Sequence, residues 1–197
     1  MITSSQKKII LLGGGGYAKC VAELAHDLGF QIVGFLDDEP TNWGKTVLGF
    51  SVLGGITTEN ILAAQPDGMV VAIGNNRIRQ MIADRVASLA TTIPWLTLCH
   101  PRASIAHSAS IGVGTVLLAG AIVNTEAQIA SHVIIGSGAI VEHECVIENF
   151  AHISSGARLG GGVSIGIRST IDTGGIVNRL VRIADDSWVS VGEVIAK

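Results

Sequence analysis

The sequence predicts two units of different construction, a small parallel α/β domain followed by a parallel β-helix. Three observations predict this. The first ~90 residues alternate strand-like and helix-like runs. A glycine-rich turn joins the first strand to the first helix. From Ser104 onward, aliphatic residues recur with a period of six.

In the first unit, "KKIILLG" is an aliphatic run closed by glycines and reads as a strand. In "YAKCVAELAHDLGF", Val21, Leu24, Ala25 and Leu28 share one helical face, and "QIVGFLDD" is the next strand. A further strand, "GMVVAIGNN", runs into "RIRQMIADRVASLA", where Ile78, Ile82, Val86 and Leu89 form a second helical stripe. Strand, helix, strand in that order predicts a small parallel sheet with right-handed crossovers and helices on its faces. The turn "GGGGYA", Gly13 to Ala18, fits the G-x-G-x-x-A pattern of Rossmann-like domains, with Asp37 further on. We assign residues 1–92 to this domain and 93–103, "IPWLTLCHPRA", to a junction.

In the second unit, 104–197, every sixth residue from Ile105 to Ile195 is Ile, Leu or Val. The residue four positions later is nearly always small, as at Ala109, Ala121 and Cys145. A long α-helix is excluded, because a six-residue stripe would drift around a cylinder of 3.6 residues per turn. Three hexapeptides closing one triangular coil satisfy the pattern, with the aliphatic residue inside and the small one near the corner; about five coils stack as parallel strands. Each inward aliphatic contributes roughly 1.5 to 3 kcal/mol by burial. The repeat positions therefore have a structural explanation and carry no assigned function.

Composition narrows the function. The 197 residues are 48% apolar, enough for a substantial core. A net charge of -3 without a basic run gives no phosphate-neutralising surface, so a nucleic-acid partner is not expected. No apolar stretch is long enough to insert in a membrane, and no signal pattern opens the chain, so the expected location is cytoplasmic. Cys20, Cys99 and Cys145 lie far apart and read as reduced thiols. "HECVI" begins like the zinc motif H-E-x-x-H, but its fifth residue is Ile147, so no metal is expected.

Taken together, "GGGGYAK", "FLDD", "AIGNNRIRQ", "HPRASI", the uninterrupted hexapeptides and "VEHECVI" with "FAHIS" resemble the hexapeptide-repeat acyltransferases that acetylate bacterial sugars. Two branches are closest by motif. One N-acetylates nucleotide-linked 4-amino-4,6-dideoxy sugars in surface glycan biosynthesis; the other is the sialic acid O-acetyltransferase-like group. The resemblance implies a left-handed β-helix, a homotrimer, acetyl-CoA bound between neighbouring β-helices, and a nucleotide-linked amino sugar, UDP ahead of GDP or dTDP, held by the Rossmann-like domain. By position it makes His143 the catalytic base and Glu144 its acidic companion. It assigns His152, Gly161 and Thr173 to acetyl-CoA. Gly13, Gly14, Gly15, Gly16, Tyr17, Asp37, Asp38, Asn75, Asn76 and Arg77 fall to the nucleotide sugar. The family usually has a histidine where this chain has Tyr17, and it commonly continues beyond the last coil with a capping segment that "GEVIAK" does not contain.

The chemistry of the residues agrees with that assignment. An amine near neutral pH must lose a proton to attack a thioester, and an imidazole is suited to accept it. A carboxylate beside the imidazole orients it. His143 and His152 both fall at outward positions about half a coil apart, which does not bring them together within one chain. His26, His107 and His132 are expected on solvated faces, and Cys145 points inward, where it is a poor nucleophile. Three other functions compete: sialic acid-type O-acetylation, NAD-dependent oxidoreduction through the glycine fingerprint, and a non-catalytic scaffold that binds a sugar nucleotide.

Overall fold

The computed structural model describes residues 6–89 and 92–197. Residues 1–5, 90 and 91 of the expected N-terminal domain lie outside the described residues. The chain divides into one unit ending at Leu96 and a second beginning at Thr97.

The first unit is built on a three-stranded parallel sheet. Its strands β1 (Lys8–Leu12), β2 (Gln31–Leu36) and β5 (Gly68–Val71) lie in the order β2-β1-β5. Ile9 to Leu12 are fully buried, as expected for a central parallel strand covered on both faces. Helix α1 (Gly16–Asp27) follows β1 and buries Ala18, Val21, Ala22, Leu24 and Ala25. Between β2 and β5 lie a hairpin, β3 (Thr46–Val47) with β4 (Phe50–Ser51), and a short helix α2 (Thr58–Ala63). Neither was anticipated, although both have local signals. Leu48 and Gly49 both have positive φ, the geometry of a type I′ hairpin, and the Thr57 hydroxyl accepts from the Asn60 N–H at the start of α2. Helix α3 (Asn76–Ala87) corrects the expected stripe. Its buried face is Asn76, Arg79, Ile82, Ala83 and Val86, and Ile78 is exposed.

The second unit is the left-handed β-helix. Two-residue strands repeat every six residues and assemble into three parallel sheets of six, five and six strands. Registers are regular: Ile122–Val123 lies beside Ile140–Val141, which lies beside Arg158–Leu159, each step being one coil. The prism begins earlier than the expected Ser104. Strand β6 (Leu98–Cys99) already pairs with Val116–Leu117, because "TLCHPRAS" has the same period as the later coils. Val123, Val141, Ile147, Ile153 and Ile165 form the core with Ala121, Ala139, Cys145 and Ala157 at the corners.

From residue 114 to residue 192 each corner is a β-turn whose second central residue has positive φ, recurring every six residues. Glycine holds half of these places. Glu126, His132, Glu144, Phe150, Arg168, Leu180 and Asp186 hold the others at φ between 53° and 61°. A side chain in the left-handed region costs roughly 1–2 kcal/mol. His132, expected on a solvated face, is buried, its ring stacked on Phe150 one coil on with centroids 5.1 Å apart.

Leu180 is 75% exposed at φ 60°, so it carries that strain with little burial in return. Leu180→Gly should therefore stabilise the protein by about 1 kcal/mol, read as a higher urea midpoint. An unchanged or lower midpoint would show that the corner is relaxed.

Candidate functional site

Two groups of polar residues stand apart from the repeat and the sheet. The first is on the prism. The strand Ile140–Val141 ends, Glu142 to Cys145 turn the corner, and Val146–Ile147 begins the next face. His143 and Glu144 are the two central residues of this turn. Glu144 is left-handed at φ 60°, and its N–H donates to Thr125 O at 2.9 Å. This conformation swings the carboxylate beside the imidazole, with Glu144 Oε2 2.9 Å from His143 Nδ1. Both side chains are more than half exposed. The Cε1–Nε2 side of the ring lies over Gly161, eighteen residues on: a Cβ there would stand 2.5 Å from both Cε1 and Nε2.

Cys145 adjoins this pair but faces inward. Its thiol is fully buried and donates to Gly160 O at 3.2 Å, and burial pushes its pKa up. A buried thiol held in its neutral form is a weak nucleophile. Glu142 accepts from Asn124 Nδ2 at 2.9 Å, tying the turn to the previous coil.

Of the residues expected around the cofactor, Gly161 shares an edge of the prism with His143. His152 does not. It begins a strand on another face, between Ile134 and Thr170, beyond the face of Val146–Ile147 and the corner at Phe150. Thr173 is exposed on the third edge, its N–H donating to Asp172 Oδ1 at 2.6 Å. These three residues therefore occupy three separate parts of one prism.

The second group surrounds a cleft of about 340 Å³ in the first unit. Gly13 to Tyr17 form one side. Gly13 has φ 109°, and a side chain there would strike Ile73, so glycine is required on both counts. Gly15 caps α1 with no side chain, and the space beside Gly15 and Gly16 is open, leaving a helix N-terminus facing the cleft. Asp37 accepts from Gly14 N–H at 2.6 Å and from Glu39 N–H at 2.8 Å. Asp38 accepts from Ile56 N–H at 3.0 Å and pairs with Arg85 Nη2 at 2.5 Å. Both aspartates line the cleft while tying its loops together. Ile56, Ile78, Met81 and Ile82 supply an apolar wall, which accounts for the exposure of Ile78 and Met81.

The set 75–77 divides differently. Asn75 caps α3, its Oδ1 accepting from Ile78 N–H at 3.0 Å, and Asn76 is buried, accepting from Arg79 Nη2 at 2.8 Å. Neither lines the cleft, nor does the exposed Arg77. Arg79, not among the expected site residues, is 1% exposed and donates to Ile73 O at 3.1 Å and Gly74 O at 3.0 Å. Burial lowers its pKa to about 10, so it remains charged at neutral pH. The Tyr17 hydroxyl is buried near Arg79, and that burial pushes the phenol well above its usual range, so it stays neutral. The available signal for Arg79 was its place three residues after Asn76, on the face that carries Ile82, Ala83 and Val86.

Comparison with known proteins gives the following. Residues 8–86 match the family model described as the PglD N-terminal domain. UDP-N-acetylbacillosamine N-acetyltransferase of Bacillus subtilis is 32% identical over 115 residues, 57% of this chain and 52% of that protein. A mutant of perosamine N-acetyltransferase from Caulobacter crescentus, in complex with CoA and GDP-perosamine, superposes with a TM-score of 0.90 at 31% identity, covering 96% of this chain and 89% of that one. The acetyltransferase domain of PglB from Neisseria gonorrhoeae, in complex with acetyl-CoA, superposes with a TM-score of 0.70 at 33% identity, covering 92% and 94%. The chain spans about half or less of the length of the curated relatives it matches.

Arg79 holds the rim at Ile73 and Gly74 from beneath. Arg79→Met keeps the bulk but leaves two carbonyls and the Asn76 amide oxygen without their donor, at a cost of about 3 kcal/mol. Urea denaturation should show that loss; a midpoint within error of the parent would mean that the loop holds itself.

Proposed function

Because the chain belongs to the hexapeptide-repeat sugar acetyltransferases, the family of the nucleotide-linked amino-sugar N-acetyltransferases, we propose that it transfers acetyl from acetyl-CoA to the amino group of a nucleotide-linked 4-amino-4,6-dideoxy sugar. The reaction would be a step in surface glycan assembly. The observation that carries this reading is the His143–Glu144 pair, set at an exposed corner where the hydrophobic repeat has no need of either side chain.

The geometry supports a direct transfer. With Nδ1 donating to Glu144, Nε2 is the nitrogen that accepts the proton of the substrate amine. The amine nitrogen bonds to the thioester carbonyl carbon, the carbon–sulfur bond breaks, and the sulfur leaves as the protonated thiol of CoA. Glu144 stabilises the imidazolium formed along the way. An acyl-enzyme on Cys145 is disfavoured, since its thiol is buried, hydrogen-bonded to Gly160 O and shifted toward the neutral form.

The sugar nucleotide is assigned to the N-terminal cleft. Backbone amides at the open start of α1 suit a diphosphate, and the apolar wall of Ile56, Ile78 and Met81 suits a base or a deoxysugar ring. UDP is proposed first as the carrier, as in the name of the Bacillus relative, while the Caulobacter structure holds GDP-perosamine. A homotrimer accounts for the separation of His143, His152 and Thr173: a neighbouring prism would bring the latter two to the cofactor that His143 serves.

Purified protein incubated with acetyl-CoA and a thiol reagent, against UDP-, GDP- and dTDP-linked 4-amino sugars, should release thiol only with an amino sugar, fastest with UDP. Silence across the panel together with tight NAD binding would overturn the reading. His143→Ala should lower turnover by about 10² to 10⁴ without loss of fold. Glu144→Gly should separate two effects: stability should rise by about 1 kcal/mol as the left-handed strain is relieved, while turnover falls. A fall in both would assign Glu144 a packing role.

A further inference from the structure

Gly161 follows a different rule from the other glycines near the site. Gly162 has φ 69° and serves a left-handed corner; Gly161 is not in the left-handed region, so its backbone does not require glycine. Nor does its place in the repeat. The equivalent first turn position carries a side chain at every other corner from Val113 to Val191, including β-branched Thr125, Ile167 and Thr173. Gly161 alone is bare, and it lies against His143. A Cβ there would stand 2.5 Å from Cε1 and Nε2 and 3.2 Å from Cδ2. Carbon atoms in contact prefer roughly 3.5–4.0 Å, so one methyl would displace the ring by about 1 Å. The ring cannot yield without cost, because Nδ1 is 2.9 Å from Glu144 Oε2 and the Glu144 backbone is fixed by its hydrogen bond to Thr125 O.

We propose that Gly161 is a positioning residue whose missing side chain seats the His143 imidazole, holding Nδ1 against Glu144 and keeping Nε2 open to the substrate amine. The inference rests on His143 as the base and differs from a contact between the Gly161 backbone and acetyl-CoA. The two roles separate in kinetics. A seat acts through the imidazole and affects kcat; a cofactor contact affects the KM for acetyl-CoA whether or not the imidazole is present.

The test is a double-mutant cycle of Gly161→Ala and His143→Ala, with thermal unfolding of each variant. Gly161→Ala should lower kcat by about 10²-fold, as expected for a misplacement of about 1 Å, with the KM for acetyl-CoA unchanged within roughly twofold. In the His143→Ala background, the same substitution should change residual turnover by no more than about twofold. An equal loss in both backgrounds, or a raised KM with kcat intact, overturns the proposal in favour of a cofactor contact. If Gly161→Ala does not fold, recovery of folding in the double variant supports the seat, and failure of both overturns it. Full turnover in His143→Ala removes the base assignment and the proposal with it. Loss in His143→Ala but none in Gly161→Ala overturns the seat alone.

Discussion

From Gly114 to Gly192 every corner of the prism turns on a residue in the left-handed region, and most of the second unit depends on that turn. Six residues hold a strand and a corner when the chain turns onto the next face within two residues, and from Gly114 onward positive φ at the second of them makes that turn. The strands of successive coils then fall into register, and the inward aliphatic residues stack into one column. Glycine meets the requirement at least cost, and one edge of the prism has glycine at 120, 138, 156, 174 and 192. On the other two edges side chains intrude, and the polar features of the prism collect there. His132 stacks on Phe150 over the bare Gly114, and Arg168 pairs with Asp186 through two contacts of 2.8 and 2.6 Å.

The candidate catalytic pair belongs to this pattern. Glu144 occupies a left-handed corner that glycine would fill with less strain, and the same conformation carries its carboxylate to His143. Strain held at a site by a rigid surround is a recognised way to fix a side chain. Here the surround is a stack of parallel strands in fixed register. The imidazole is thus bounded by Glu144 on one side and the empty place at Gly161 on the other. A regular scaffold makes irregular residues conspicuous, because the repeat explains its neighbours and leaves these unexplained.

In the first unit the organising interaction is a buried charge. Arg79 donates to the carbonyls of Ile73 and Gly74 and to Asn76, so the end of β5 curls back toward the glycine turn after β1. The bare Gly13 lies against the Ile73 side chain. Burying a guanidinium is costly unless its donors are satisfied, which explains why three acceptors converge on it. The cleft rim is held by this network as much as by the sheet.

Much of the fold was legible in the sequence because period and burial are local consequences of residue type. A step of six excludes a helix and requires a coil, and alternating strand and helix runs require a parallel sheet. The His143–Glu144 pair and the glycine turn at Gly13–Gly16 were also legible, since each adjoins a repeat or strand that does not call for it. What the sequence left undecided depends on contacts between distant residues. Ile78 faces out because Arg79, one position on, occupies the inner face of α3. His132 is buried because Phe150 stands one coil above it. The separation of His152 and Thr173 from His143 follows from the number of corners between them. The coil, the sheet and the chemistry available at the corner follow from the order of residues alone, since these rest on spacing. That the imidazole lies over Gly161 could be read only from the folded chain, because residues eighteen apart become neighbours only when the coil closes.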